Sequence, residues 1–269
     1  SVRSLSFFVP AWKTSRSLPA AASVITDTAG NALTGDLSLT ITVDTAAPTA
    51  SIVAVTPDPR QANVNSLTIN LSEPVSGFDI TDFTLTRDGD IVSVIDEFLT
   101  QVGETQFVLT LADATGTDGL YVLSLNAATA NIVDRAGNSL VSDAVESWTR
   151  DSVAPTADIV DVTPDPRPNS AGVVSFEFSE SVSGFDLADL SLTRDGTPVS
   201  LTGLTLTTVD ASHYTINLGS VTNVDGTYAL TLTSTGSAIV DAAGNALATG
   251  AADLWVRDSV APTADIVDV

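Results

Sequence analysis

The sequence predicts an all-β protein built as tandem antiparallel β-sandwiches. Three observations predict it: the chain repeats at a period of 107 residues, apolar residues alternate inside each period, and turn-forming residues punctuate the alternation. Ala-Pro-Thr-Ala recurs at Ala47–Ala50, Ala154–Ala157 and Ala261–Ala264, and Asp-x-Ala-Gly-Asn-x-Leu at Asp27–Leu33, Asp134–Leu140 and Asp241–Leu247. A unit of this length is the size of a small domain, not of a solenoid repeat. The expected layout is an atypical segment at 1–22, the C-terminal part of a preceding repeat at 23–46, complete repeats at 47–153 and 154–260, and the first strand of a following repeat at 261–269.

The elements follow in order. In the first complete repeat Leu67, Ile69 and Leu71 alternate within Ser66–Glu73, then Phe107, Leu109 and Leu111, then Tyr121, Leu123 and Leu125. In the second the same places hold Phe176 and Phe178, then Tyr214, Ile216 and Leu218, then Tyr228, Leu230 and Leu232. Period two marks half-buried strands. Between them lie turn signals: Thr56–Arg60 and Thr163–Arg167, Ser76–Asp79 and Ser183–Asp186, Arg87–Gly89 and Arg194–Gly196, Asp118-Gly119 and Asp225-Gly226. Asp-Gly is a strong tight-turn signal. About seven short strands per period read as a two-sheet sandwich. Roughly half of the aligned positions of the two repeats are identical, without a gap, so they share one fold.

Three motifs in sequence, Val43–Thr49, Ser72–Phe78 and Asp134–Asn138, resemble the bacterial Ig-like (Big) tandem-repeat domains of large surface adhesins. The resemblance covers about residues 23–269. It implies tandem Ig-like antiparallel β-sandwich domains, export by a Gram-negative cell, and a long extension that holds an adhesion module away from the cell surface. It also implies calcium at domain junctions, stiffening the array.

Composition bounds the remaining choices. The 269 residues carry a net charge of −23, with no Cys. Disulfides and thiol chemistry are thereby excluded, though export is not. The charge makes nucleic acid a poor partner and suits cations. No apolar run approaches about 18 residues, so no membrane insertion is expected. Neither a starting Met nor a secretory signal is visible, and the chain stops nine residues into a repeat, so it reads as a fragment of a longer protein. Asp greatly outnumbers Glu. Its short side chain bonds nearby backbone in turns, so the acids concentrate where strands end.

Those acids are the candidate metal ligands. The linkers carry Asp44, Asp151 and Asp258. By topology each linker should lie near two turns of the domain being left, with Asp58 or Asp165 and Asp118 or Asp225. The domain being entered offers the turns at Glu73 and Glu180 and the loops with Asp134 and Asn138, or Asp241 and Asn245. The expected ligand set is Asp44, Asp58, Asp118, Asp134, Asn138, Asp151, Asp165, Asp225, Asp241 and Asp258. Calcium suits such clusters because it takes six to eight oxygens. Neither EF-hand spacing nor a Gly-Gly-x-Gly-x-Asp nonapeptide occurs. Two other readings stay open: turn capping alone, and salt-adapted surface charge.

Other residues point away from chemistry. Arg60, Arg87, Arg150, Arg167, Arg194 and Arg257 sit beside acids, which reads as local pairing rather than a ligand clamp. Trp148 and Trp255 hold equivalent positions, which reads as packing; the competing reading is a sugar platform. His213 is the only His and has Gln106 as its counterpart, so no ordinary Ser/His triad exists. The sequon at Asn70 faces Glu177 in the other repeat and reads as chance.

The ends differ from the rest. Residues 1–22 hold Arg3, Lys13 and Arg16 and no acid. There the core alternation is lost, with Thr14 and Arg16 where the first complete repeat has Tyr121 and Leu123, and Phe7, Phe8 and Trp12 cluster instead. Leu37, Leu39, Ile41 and Val43 restore the pattern as a final strand, and Ala264–Val269 should form a first one. The sequence thus predicts a non-enzymatic structural extender of a secreted or cell-surface bacterial adhesin, its partners being neighbouring repeats of the same protein. The alternatives are a self-assembling extracellular filament subunit using strand donation, in which other copies are partners, and a carbohydrate-binding accessory module.

Overall fold

The computed structural model describes residues 14–18, 26–32, 34, 37–41 and 43–265. They divide into two units. The first takes in the described residues up to Val55 with Asn63–Thr149, the second Thr56–Ala62 with the described residues from Arg150 onward. The division places the turn at Thr56–Ala62 with the second unit rather than with the repeat that contains it in sequence.

The first unit begins with a two-stranded antiparallel sheet, β1 (Thr14–Leu18) against β2 (Leu37–Ile41). β1 occupies the place of a core strand one period upstream, so a strand forms although the apolar alternation is lost. Backbone pairing with β2 suffices to define it. The rest of the atypical segment at 1–22 lies outside the described residues.

The first complete repeat contributes β3 (Ala50–Ile52), β4 (Ser66–Leu71), β5 (Val75–Ser76), β6 (Phe83–Arg87), β7 (Asp90–Val92), β8 (Leu99–Gln101), β9 (Gln106–Thr110), β10 (Gly119–Leu125), β11 (Val133–Asp134) and β12 (Ala144–Arg150). One sheet has the order β3-β4-β9-β8, the other β12-β10-β6-β7, and β5 pairs with β11 in a small ribbon. The second repeat follows with β13 (Ala157–Ile159), β14 (Val173–Phe178), β15 (Leu190–Arg194), β16 (Thr197–Val199), β17 (Leu206–Thr208), β18 (His213–Asn217), β19 (Gly226–Leu232) and β20 (Ala251–Arg257). Its sheets run β13-β14-β18-β17 and β16-β15-β19-β20. These are the Ig-like strand neighbours, with one added edge strand in the second sheet, β7 beside β6 and β16 beside β15. Residues 261–265 form no strand, and 266–269 of the expected first strand lie outside the described residues.

Alternation builds the core as expected. Ile69 and Leu109 from one sheet meet Leu85, Tyr121, Leu123 and Leu125 from the other, all buried. Phe176, Ile216, Leu230 and Tyr228 do the same in the second repeat. The Tyr121 hydroxyl donates to the Thr117 carbonyl at 2.7 Å, and that of Tyr228 to Val224 at 2.7 Å. Such a bond, from a Tyr near the start of this strand, is the tyrosine corner of Ig-like sandwiches. Trp148 stacks on Tyr121 and Trp255 on Tyr228, with centroids 5.4 and 5.6 Å apart.

The turn chemistry is mostly as read. Asp88 and Gly89 both take positive φ, 52° and 91°, joining β6 to β7 by a tight hairpin. The Asp118-Gly119 pair is different: it closes no hairpin, because β10 starts at Gly119. Its glycine is needed because the backbone there takes φ +144°, where the chain passes Asp88 and Arg87. Asp79 and Asp186 each cap a single 3₁₀ turn, Ile80–Asp82 and Leu187–Asp189, in a reciprocal capping box.

Gly184 gives a test of the tight packing beside this turn. It has φ +83°, and a Cβ there would lie 2.2 Å from the Ala238 carbonyl oxygen. Gly236 has φ +79° with open space around it. Both Gly→Ala changes incur the left-handed strain, of order 1 kcal/mol, but only Gly184→Ala adds a backbone clash. Gly184→Ala should therefore lower the denaturant midpoint of the second repeat clearly more than Gly236→Ala. Equal midpoints would mean that the isolated bridge between Ser183 and Val240, beside Gly184, opens without cost.

Candidate metal centres

The Asp-x-Ala-Gly-Asn loop is first a local device. Asp134 accepts from the backbone N–H groups of Ala136 and Asn138 at 2.8 Å each through one oxygen, and from the Asn138 amide at 2.8 Å through the other. Asp27 makes the same three bonds to Ala29 and Asn31. In the second repeat, Asp241 accepts from the Asn245 backbone and amide. The following glycine in each loop, Gly30, Gly137 or Gly244, has φ near +90°. That left-handed turn brings the Asn back over the Asp.

The loop then reaches the linker. The Asn138 amide nitrogen donates to the carbonyls of Asp44 and Ala46 at 3.2 and 3.1 Å, and that of Asn245 to Asp151 at 3.0 Å. This brings a linker carboxylate beside the loop carboxylate. The turn before β5, or its counterpart in the second repeat, adds a glutamate. In the first unit, Asp44, Glu73 and Asp134 place carboxylate oxygens within 4.8 Å of one another; in the second, Asp151, Glu180 and Asp241 do the same. Asp134 and Asp241 are buried and the other four are half-buried. All donors are hard oxygens, with no imidazole or thiolate, which is the donor chemistry of calcium rather than of zinc or copper. Each cluster lies within one unit.

Electrostatics registers the crowding. Glu73 is raised above its ordinary value of 4.5 by desolvation and by the charges of Asp134 and Asp44. Glu180 is raised likewise by desolvation, Asp241 and Asp151. Burial also pushes Asp134 up, but its bonds from Asn138, Ala136 and Gly137 outweigh that and hold it below 3.8. A carboxyl whose folded value is raised contributes stability below its unfolded value and loses it as pH rises through the folded one. In chelator at pH 7, the double variant Glu73→Gln, Glu180→Gln should therefore melt above the parent. The gap should shrink as pH falls through the folded value and close well below the ordinary value of 4.5, where both glutamates are protonated in either state. Melting curves across that range check it, and a gap independent of pH would show that charge is not its cause.

The remaining expected ligands sit elsewhere. Asp165 accepts from the Val256 N–H at 2.7 Å. Asp225 pairs with the Arg257 guanidinium and takes the Ser259 hydroxyl at 2.9 Å. Asp258 accepts from Val260 N–H at 2.9 Å, a turn bond like those of Asp44 to Ala46 and Asp151 to Val153. Asp58 and Asp118 make other interactions and belong to neither cluster. Thus Asp44 meets Asp134 in the first unit and Asp151 meets Asp241 in the second, and Asn138 and Asn245 each fasten their linker from beside them. Glu73 and Glu180 complete the clusters although the ten-residue ligand set omitted them. Their recurrence at one period in a Ser-Glu-x-Val-Ser-Gly turn is the signal that marks them.

The other candidates have structural roles. Trp148 and Trp255 are wholly buried, so neither is a platform for sugar. Arg60 and Arg167 donate through Nε to the backbone carbonyls of Ala62 and Asn169 rather than to an adjacent acid, whereas Arg87 does pair with its neighbour Asp88 at 4.0 Å. His213 Nδ1 lies 2.8 Å from Asp210 and 3.0 Å from the Ser212 hydroxyl. Both partners meet the same ring nitrogen, whereas a catalytic relay needs opposite nitrogens. That hydrogen bond lowers Asp210 to about 2. Its contribution is thus present above 3.8 and lost as pH falls through about 2.

Fold and site together define a tandem Ig-like β-sandwich protein with one acidic cluster per complete repeat. Residues 151–255 match the family described as bacterial Ig-like domain, and that stretch is such a domain. Residues 47–153 repeat its strands and roughly half its residues. No curated protein matches the sequence. Among solved structures, the chain is similar to the titin domains Z1Z2 in complex with telethonin at 15% identity, over 80% of this chain and 98% of that one, with a TM-score of 0.27. It is similar to the N-terminal part of the bacterial S-layer protein SbsC at 13% identity, over 79% and 44%, with a TM-score of 0.27. It is similar to the tandem Ig repeats of Dlar at 13% identity, over 77% and 97%, with a TM-score of 0.24. At such TM-scores neither function nor arrangement follows from these likenesses. Among the described residues no helix is long and apolar enough to cross a membrane.

Proposed function

We propose that this chain is an extender of a secreted or cell-surface bacterial adhesin, its repeats made rigid by calcium. The observation that carries the reading is the recurrence of one three-carboxylate cluster per complete repeat, each including the aspartate of the linker that enters the repeat. Three carboxylates so close repel, and a divalent cation would convert that repulsion into attraction. Asp44, Glu73 and Asp134 would hold one ion, and Asp151, Glu180 and Asp241 another. Each ion would tie a linker to the domain that follows and remove the linker's freedom to swing. Chemistry has no place in this reading: the acids recur with the fold, as architecture does, and the single His offers no relay.

Small-angle scattering with calcium and then with chelator tests it. Calcium should lengthen the particle and narrow its distribution of shapes. Identical curves in both conditions would sink the stiffening reading and leave the acids as turn formers and surface charge.

A further inference from the structure

The two complete repeats diverge in a directed way at one stretch. Residues 90–98 read Asp-Ile-Val-Ser-Val-Ile-Asp-Glu-Phe, where residues 197–205 read Thr-Pro-Val-Ser-Leu-Thr-Gly-Leu-Thr. Repeat one thus gains apolar and acidic side chains together. Ile91, Ile95 and Phe98 are 81%, 82% and 71% exposed. Asp90 and Asp96 are exposed among them. Ile91 and Ile95 line a groove of about 340 Å³ that reaches Phe83 and Leu85 and is walled by Ile80, Val92 and Val94; Phe98 stands three residues beyond Ile95, outside the groove. The groove opens beside β7, which among the described residues pairs with β6 alone and is a free sheet edge. The segment is held in place: the Glu97 carboxylate accepts from the Thr110 hydroxyl at 2.9 Å and from the backbone of Asp113 and Ala114 at 3.2 Å each.

Large apolar side chains gathered at an open edge mark an interaction surface. The acidic rim decides what fits it. Two copies of this patch would face each other with like charges, which is unfavourable. The occupant must be apolar and basic. One stretch of the chain is both: residues 1–13 carry Leu5, Phe7, Phe8, Val9 and Trp12 with Arg3 and Lys13 and no acid, in a chain of net charge −23. Leu5, Phe7 and Val9 stand at alternate positions, the spacing that puts side chains on one face of an extended chain. We propose that the groove beside β7 receives residues 1–13, which add as an edge strand with aromatic anchors in the groove and basic ends over Asp90 and Asp96.

The test uses a fluorescent synthetic peptide of residues 1–13. It is titrated into the full chain carrying Phe7→Ser, Phe8→Ser and Trp12→Ser, so that the chain's own segment does not compete. Saturable binding is expected. Adding Ile95→Thr and Phe98→Thr, the residues repeat two carries and folds with, should weaken binding at least about tenfold. Asp90→Thr with Asp96→Gly should weaken it and flatten its salt dependence. Absence of saturable binding, or binding indifferent to Ile95→Thr and Phe98→Thr, overturns the proposal.

Discussion

Saturating calcium should raise the melting temperature of this chain by on the order of 10 °C, and Glu73→Gln with Glu180→Gln should abolish the rise. The size follows from linkage. A ligand that binds only the folded state stabilises by about 2.7 kcal/mol at one hundred times its dissociation constant, and about 1 kcal/mol moves the midpoint of a domain this size by roughly 4–8 °C. The variant has a second signature. In chelator it should melt above the parent, because it relieves the crowding that raises both glutamates. In calcium it should melt below the parent. That reversal separates a metal site from a merely structural glutamate, whose loss would act in one direction regardless of calcium. Asp165→Asn should leave the calcium increment intact, since Asp165 bonds the Val256 N–H and stands outside both clusters. Magnesium should replace calcium poorly, because it demands a smaller octahedral cage. A calcium increment retained in the glutamate variant would place the ion elsewhere.

Trp255→Ala should cost the second repeat about 3–5 kcal/mol, and Trp148→Ala the first repeat as much. That is a large part of the total stability of a small domain. Both indoles are wholly buried and lie almost parallel to a tyrosine ring, at 8° to Tyr121 and 12° to Tyr228. Truncation removes the stack and leaves a cavity between the sheets. Each variant keeps the other core tryptophan as a reporter, with Trp12→Phe placed in parent and variants alike so that the reporter is the only indole left in each variant. In urea, Trp148 fluorescence should follow an unperturbed first repeat in Trp255→Ala, while the circular dichroism of the second repeat is lost at lower urea. A small change in midpoint would mean that the core collapses around the missing ring.

The groove beside β7 shows what comparison inside one sequence can and cannot reveal. The changes from Pro198, Thr202 and Thr205 to Ile91, Ile95 and Phe98 are plain on the page. Alternation does not say whether such residues are core or surface, because Ile91 sits in a strand of only three residues and Ile95 and Phe98 lie between strands. Only the position of β7 as a free edge makes them an exposed patch. Glu73 teaches the converse. It recurs at the repeat period as plainly as Asp134 does, yet a turn acid reads as a cap until its neighbours in space are known.

The sequence by itself determined the repeat length, the two sandwiches, the core faces and most of the turns. These depend on local spacing: period-two burial, the positive φ that Asp-Gly tolerates, and identity at 107-residue offsets. The tertiary structure alone decided which acids meet. Asp44, Glu73 and Asp134 are 29 and 61 residues apart along the chain. A linker, a turn before β5 and the end of β11 bring them together, with the Asn138 amide as the clasp. The same folding sends Asp165 to Val256 and Asp225 to Arg257. Carboxylates equal in sequence context acquire different work because Coulomb forces act across space, and only the fold sets those distances.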